Sequence, residues 1–592
     1  MRSYKMAITL DLDEVLRSLG KYGRFQILQF MYNQICLLPT VFPVLIFVFI
    51  GTIPDFRCRD ISLIIWNGKE ISTNSSDVDI NYHRCDVTIQ VNQSNTIGKS
   101  QLTCINGYKY EGPETVATEW NLVCNREGLG AMSTTMVMVG QMLGASLFTP
   151  MADKYGRKVL VYTTFLSMTI CTILGAVVPW FPVFVILRFL IGAFQMGFGL
   201  TVAALCIELF PAECRGPMIY ICCIVWSLGI SSIPLLAYLL RNESWRYTML
   251  AAGLTGFHCI GTRWILAESP RWLVANNKTE EMKAWIIRAA KCNGKQPSAI
   301  LELSNVNSTS NATQSLTEGE NGGAQNSKHH VTNETYTVFE LFRKRHILLT
   351  SIIVWIVWFV NALTYNGIFL TSGTMTGNRF LNFFINGIIE IPSLFVCMFM
   401  ANRYGRKKTC IVFHAIAGIS LVLSAILLIL KDRSSLVDGF SAFFNFMGKF
   451  GISGSFATIF LYTPEIYPTN LRSAGYGMAS ASARIGGMLS PFTTMFAAWI
   501  EWGPGVVFGS LSIVVCVLFL WLPETSGREL PTNLDDLTDF YVIKVKQPKK
   551  NILHYLVEKK RGKQYYLVLQ LKICTHKQRV VSRGTSDLKY RI

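Results

Sequence analysis

Long apolar runs recur along this chain, each ended by a short polar or basic stretch. Twelve of them reach the ~20 residues that a helix needs to cross a bilayer. They cover 26–50, 130–150, 159–178, 182–207, 217–240 and 246–267, then 347–370, 380–401, 409–430, 438–463, 474–500 and 505–522. Two longer intervals interrupt the series, 51–129 after the first run and 268–346 after the sixth. The pattern predicts an all-α membrane protein of two six-helix halves, 26–267 and 347–522, with a lead of 1–25 and a tail of 523–592. The lead has amphipathic helical spacing around Leu10–Leu19. The 268–346 linker begins as helix to about Cys292, and its Asn-, Ser-, Thr- and Gly-rich part, 304–335, reads as disordered.

The two halves repeat one another. Asp153-Lys154-Tyr155-Gly156-Arg157-Lys158 follows the second run, and Asn402-Arg403-Tyr404-Gly405-Arg406-Lys407 follows the eighth. Glu208 and Arg215 bracket a Pro-bearing turn, as do Glu465 and Arg472. Glu268-Ser269-Pro270 is echoed by Pro523-Glu524-Thr525. The paired landmarks are offset by 249 to 257 residues, and an internal repeat of membrane spans points to a secondary transporter.

Composition agrees: 51% of residues are hydrophobic and only 16% charged. The net charge of +18 sits mostly in the loops at 151–158, 211–216, 268–346, 402–408 and 468–472 and in the tail. It therefore reads as a topology signal that places these loops and both termini in the cytoplasm, with no nucleic-acid partner implied. The basic tail is expected near anionic membrane lipid. Of 16 cysteines, Cys58, Cys85, Cys104 and Cys124 share the 51–129 loop. Four cysteines in an extracellular loop predict two disulfides, with three connectivities open. Asn74 and Asn92 head glycosylation sequons in the same loop.

A charged side chain at membrane depth costs about 2.5–3.5 kcal/mol on insertion scales, so each one present needs a reason. Glu390 lies mid-way in the eighth run, Lys449 in the tenth and Arg484 in the eleventh. One acid with two bases suits a cavity for charged solutes; an ion pair that fixes helix register is the plainer reading. Trp226, Trp358 and Tyr365 supply aromatic faces for cation–π contact, and Gln141 and Asn361 supply polar groups. These eight residues are the candidate substrate contacts. Arg188 and Arg263 stand nearer the ends of their runs and are expected to snorkel. Asp153, Arg157, Glu208 and Arg215, with Arg406, Glu465 and Arg472, are the candidate cytoplasmic gate. No phosphate-binding loop, metal-ligand cluster or nucleophile–base set is present, so the expectation is a non-enzyme driven by a gradient. Its energy source is then a coupling ion (sodium or proton) or a counter-substrate.

Residues 10–530 resemble the major facilitator superfamily, and within it the organic cation, anion and zwitterion (carnitine) transporters. The resemblance rests on Thr118-Glu119-Trp120-Asn121-Leu122-Val123-Cys124, the cysteine-bearing loop, Asp153–Lys158, Glu268–Leu273 and Leu461–Arg472. It departs where the family's hexad loop usually opens with Gly, here Thr149 and Met398, and at Asn402, which replaces an Asp. The resemblance implies a twelve-helix, two-lobe fold at the plasma membrane. It also implies polyspecific transport of small organic ions by alternating access. Arg484 and Lys449 resemble the anion and carnitine branches, and 377–384 resembles the carnitine branch. Organic cations and zwitterions such as carnitine are the leading substrates. Organic anion exchange is the alternative within the family, and a transport-dead scaffold or receptor is the alternative from another class.

Overall fold

The structure is a computed structural model of the chain. It describes residues 12–301, 342 and 345–527, apart from 62, 67–68, 73–77, 94–95, 105, 299, 374, 431–433 and 469–470. The expectations for 304–335, for the basic tail and for Asn74 fall outside the described residues. Those residues fold into a helical body with one small β-rich insertion.

Nine helices among the described residues are long and apolar enough to cross a membrane: Arg24–Ile50, Cys124–Tyr155, Arg157–Val177, Phe181–Glu208, Arg215–Leu239, Ile347–Thr371, Arg379–Tyr404, Arg406–Ile429 and Gly503–Trp521. They are spans one to five, seven to nine and twelve of the sequence reading. The other three runs are helical but differ in character. The sixth is split into Trp245–Leu254 and Cys259–Ile265. The eleventh is split into Arg472–Leu489 and Phe492–Trp499. That second break falls at Pro491, which has no N–H to donate. The tenth is unbroken over Ser435–Ile466 but carries Asp438, Lys449 and Glu465.

Helices between Arg24 and Ile265 form one lobe and helices between Arg345 and Trp521 the other. They meet where the fifth span packs on the eighth and the second on the eleventh. The fifth–eighth crossing is close because residue 387 is glycine. A Cβ there would come within 3.1 Å of the Ser231 backbone. Polar contacts between lobes in the half nearer the disulfides include Thr135 Oγ1 to Met488 O (3.0 Å) and Arg379 to Thr52 Oγ1 (3.4 Å). Phe380 stacks on Phe49 with centroids 5.3 Å apart, and Phe383 lies 5.1 Å from the same ring.

The insertion after the first span pairs strand β1 (Asp55–Cys58) with β7 (Tyr108–Glu111) and β2 (Leu63–Trp66) with β3 (Lys69–Ser72), and β4 (Val78–Tyr82), β5 (Asp86–Gln93) and β6 (Thr96–Thr103) form a three-stranded sheet. Cys58 bonds to Cys104 and Cys85 to Cys124, which selects one of the three connectivities. Asn92 lies on β5 opposite Ile97.

The Thr118–Cys124 motif anchors this insertion to the first lobe. Glu119 accepts from Trp245 Nε1 at 2.7 Å and pairs with Arg246. Arg246 also donates to the carbonyl of Ala176 at the end of the third span. Trp120 packs against Phe181, Phe184 and Trp245, with centroids 5.1–5.5 Å away. The motif that carries the family resemblance is therefore a joint between the insertion and the lobe.

At the opposite face, helix Leu12–Leu19 buries Leu12, Val15, Leu16 and Leu19 against the first lobe. Asp13 pairs with Arg215 (3.3 Å) and Arg271 (2.7 Å). Glu213 pairs with Lys21 (2.7 Å) and Arg17 (3.1 Å), and Lys21 first, then Arg17, hold its carboxyl below the usual carboxylate range.

Candidate functional site

Each hexad ends one span with a glycine at positive φ, +104° at Gly156 and +99° at Gly405, and the next span starts one residue later. The first N–H groups of that new helix have no intrahelical acceptor. Glu268 fills the vacancy in the first lobe, accepting from the backbone N–H of Arg157 (3.0 Å), Lys158 (3.2 Å) and Ser269 (2.8 Å). Glu524 does the same in the second lobe for Arg406 (2.9 Å), Lys407 (3.4 Å), Thr525 (3.1 Å) and Ser526 (3.2 Å). A Cβ at either glycine would lie 2.5 Å from the capping carboxylate. Burial pushes the Glu268 carboxyl up, and the backbone donors oppose it. Glu268→Ala is expected to cost about 2–3 kcal/mol, because a half-buried cap with charge-assisted bonds is lost. Cell-surface biotinylation should then recover less protein, with no change in KM for the protein that does arrive.

The candidate gate residues form two like-shaped braces. In the first lobe Arg157 reaches Asp153 at 2.9 Å and Glu208 at 3.3 Å, and donates to Ala152 O. In the second, Arg406 reaches Glu465 at 3.2 Å and donates to Ala401 O. Asn402 brings no acid to that set. Arg215 pairs with Asp13 rather than with Glu208. Arg472 makes no ion pair among the described residues, and its Nε is buried without an acceptor. These pairs tie spans of one lobe together; none crosses to the other lobe in this conformation.

The membrane-depth charges fall at the lobe junction. Lys449 is fully buried, with Nζ 2.9 Å from Glu390 Oε1. The same Nζ lies 3.2 Å from the Tyr365 ring centroid and 3.7 Å from that of Phe369. Ser227, on the fifth span, donates to Glu390 Oε2 at 2.7 Å and so ties the first lobe to the second. Tyr365 neighbours both Glu390 and Trp226. Arg484 stands apart from this cluster. Its Nη1 donates to Gln141 Oε1 at 3.1 Å and its Nη2 lies 3.2 Å from Met196 Sδ. Gln141 in turn donates to Gln195 Oε1 at 3.0 Å. No carboxylate pairs with Arg484 among the described residues, and its Nε is buried without an acceptor.

Three polar or aromatic candidates are placed otherwise than the sequence reading expects. Trp358 is 1% exposed, donates to Thr463 Oγ1 at 2.8 Å and sits edge-on to Phe456, Phe460 and Tyr476. Asn361 is turned into its own lobe, towards His414 Nε2 (3.4 Å) and Val357 O (2.9 Å). Arg188 does not snorkel: it is fully buried, donates to Pro43 O and Val44 O, and lies over Phe47. The first span breaks between Leu45 and Phe47, and Arg188 supplies donors to carbonyls beside that break. Ser227, Phe369, Gln195 and the capping roles of Glu268 and Glu524 are additions from the structure. Phe369 had a signal, one helical turn after Tyr365.

Comparisons with known proteins agree with this architecture. A family model described as "Sugar (and other) transporter" matches residues 95–532. The human "Organic cation/carnitine transporter 2" is 26% identical over 551 residues, covering 89% of this chain and 94% of that protein. The Drosophila melanogaster "Organic cation transporter protein" is 29% identical, covering 90% and 95%, and the mouse "Solute carrier family 22 member 21" is 27% identical, covering 91% and 95%. Among solved structures, a partially occluded inward-open conformation of the E. coli xylose transporter XylE aligns with a TM-score of 0.55 at 14% identity, over 86% of this chain and all of that one. With the matched model spanning most of both lobes, and with two repeated halves of membrane helices, the chain belongs to the sugar (and other) transporter family and has the major facilitator fold.

Proposed function

We propose that the protein is a polyspecific secondary transporter of small organic ions, working by alternating access, with organic cations and zwitterions such as carnitine as its main substrates. The observation that carries this reading is the charge balance at the lobe junction. Glu390 and Lys449 neutralise each other, which leaves the Arg484 guanidinium without a counter-charge among the described residues. A half-buried cation without a counter-charge favours a ligand that brings a carboxylate. Tyr365, Phe369, Trp226 and Glu390 offer what an ammonium binds, a carboxylate among ring faces. Among the described residues, a cation without a carboxylate partner and an acid-and-aromatic cage, both at the lobe junction, fit a zwitterion better than a dianion, so organic anion exchange ranks second. The names of the relatives, organic cation and carnitine transporters, point the same way.

The two disulfides require an oxidising compartment. That face is therefore external in our reading, with Asn74 and Asn92 glycosylated there, both termini cytoplasmic and the plasma membrane as the site of action. The intralobe braces at the hexads keep each lobe rigid while the lobes rock about the junction. The test is uptake of labelled tetraethylammonium, carnitine and para-aminohippurate by expressing cells. Saturable uptake of the first two is expected. Uptake of para-aminohippurate alone would favour the anion reading, and uptake of none would leave the scaffold reading.

A further inference from the structure

Lys449 holds the position that a substrate's ammonium would take. Its Nζ lies 2.9 Å from the Glu390 carboxylate and 3.2 and 3.7 Å from the centroids of two rings, and none of the residue is exposed. The second Glu390 oxygen is already held by Ser227. A carboxylate between ring faces is a receptor for an organic cation, and here the protein's own ammonium fills it. Two cations within a few ångströms of each other in a dry site repel strongly, so the cage takes one at a time. Lysine suits the exchange, because its charge rides on a flexible four-carbon stem that can swing away.

We propose that Lys449 is a tethered surrogate for the substrate cation: it occupies the ammonium cage of the empty carrier and is displaced when an organic cation binds. This rests on the reading of the protein as an organic-ion transporter. Two consequences follow from the chemistry. First, an intramolecular competitor weakens apparent substrate affinity. Second, the empty carrier never has to reorient with Glu390 buried and unpaired, which would be strongly unfavourable. Lys449 thus permits net transport as well as exchange.

The experiment compares wild type, Lys449→Met and Lys449→Arg, each normalised to its cell-surface amount. Tetraethylammonium uptake is measured, together with efflux of preloaded tetraethylammonium into buffer with and without the same cation outside. For Lys449→Met the KM is expected to fall about tenfold, as an intramolecular competitor is removed. Efflux into cation-free buffer should fall about tenfold relative to exchange, because the empty return is slowed. Lys449→Arg keeps the charge and should keep the wild-type ratio. An unchanged or raised KM together with an unchanged ratio in Lys449→Met overturns the assignment. Should Lys449→Met fail to reach the surface, the wild type still decides. Amidination of Lys449 by methyl acetimidate, read by mass spectrometry on purified protein, should rise about threefold or more in saturating tetraethylammonium, since displacement shifts the population. No rise overturns the proposal. A wild type that carries none of the probes defeats the transport reading itself, whereas a transporting wild type matched by Lys449→Met defeats only the role of Lys449.

Discussion

Carnitine uptake by Arg484→Asp protein is expected to fall at least ~30-fold while tetraethylammonium uptake persists or rises. Losing a charge-assisted contact to a desolvated ligand carboxylate costs about 2–5 kcal/mol, and each 1.4 kcal/mol is about a factor of ten. The substitution also places a carboxylate where the ligand's own would sit, so repulsion adds to the loss. An organic cation meets the opposite change, since a repelling guanidinium is replaced by an acid at the same lobe junction. The present contacts of Arg484 are one amide oxygen at 3.1 Å and one thioether sulfur at 3.2 Å. Neither compensates a full charge. Surface biotinylation separates transport from delivery. If uptake of both probes falls by the same factor at normal surface amounts, Arg484 only braces Gln141 and the second–eleventh span contact.

Glu390→Gln is expected to lower stability strongly. It removes the carboxylate that pairs, among the described residues, with fully buried Lys449. Breaking a buried pair by deleting one partner costs about 3–5 kcal/mol, because the remaining charge stays buried. The Ser227 hydrogen bond between the lobes is weakened by the same substitution. Glu390→Gln combined with Lys449→Met removes both charges, and most of the stability should return. Thermal unfolding of the purified proteins in detergent reads both effects as shifts in Tm. Recovery in the double variant without recovery of tetraethylammonium uptake would separate the structural role of the pair from the recognition role of the carboxylate. A single variant as stable as wild type would mean the pair is not formed in the membrane.

Much of the architecture was legible in the order of residues because the bilayer enforces it. Spans have a minimum length and loops collect cations on one side, so the twelve runs and the two-fold repeat follow from hydropathy and punctuation alone. Glu390, Lys449 and Arg484 were legible for the same reason, since charge at membrane depth is costly enough to be conspicuous. What the sequence could not show was which charge neutralises which. Glu390 and Lys449 lie 59 positions apart on separate spans, and only the packed helices reveal that they pair while Arg484 does not.

Trp358, Asn361 and Tyr365 show a subtler limit. Their spacing puts them on one helical face, yet that face meets different neighbours along its length. Near Trp358 it meets Phe456, Phe460 and Tyr476, at Asn361 it meets His414, and only at Tyr365 does it meet Lys449. Arg188 was misread because its place near the end of its own run says nothing of the neighbouring span, and the first span breaks beside it and exposes carbonyls to its donors. Glu268 and Glu524 stood out as repeat landmarks, and their use as helix caps emerged once the glycine turns were seen beneath them.

The central claim, coupled movement of a small organic zwitterion through the lobe junction, is tested most directly by counterflow. Purified protein is reconstituted in proteoliposomes loaded with unlabelled carnitine, and trace labelled carnitine is added outside. The account predicts transient accumulation of label above equilibrium in wild-type vesicles and its loss in Arg484→Asp vesicles. Label that only equilibrates, at the same rate in empty and loaded vesicles, would contradict it.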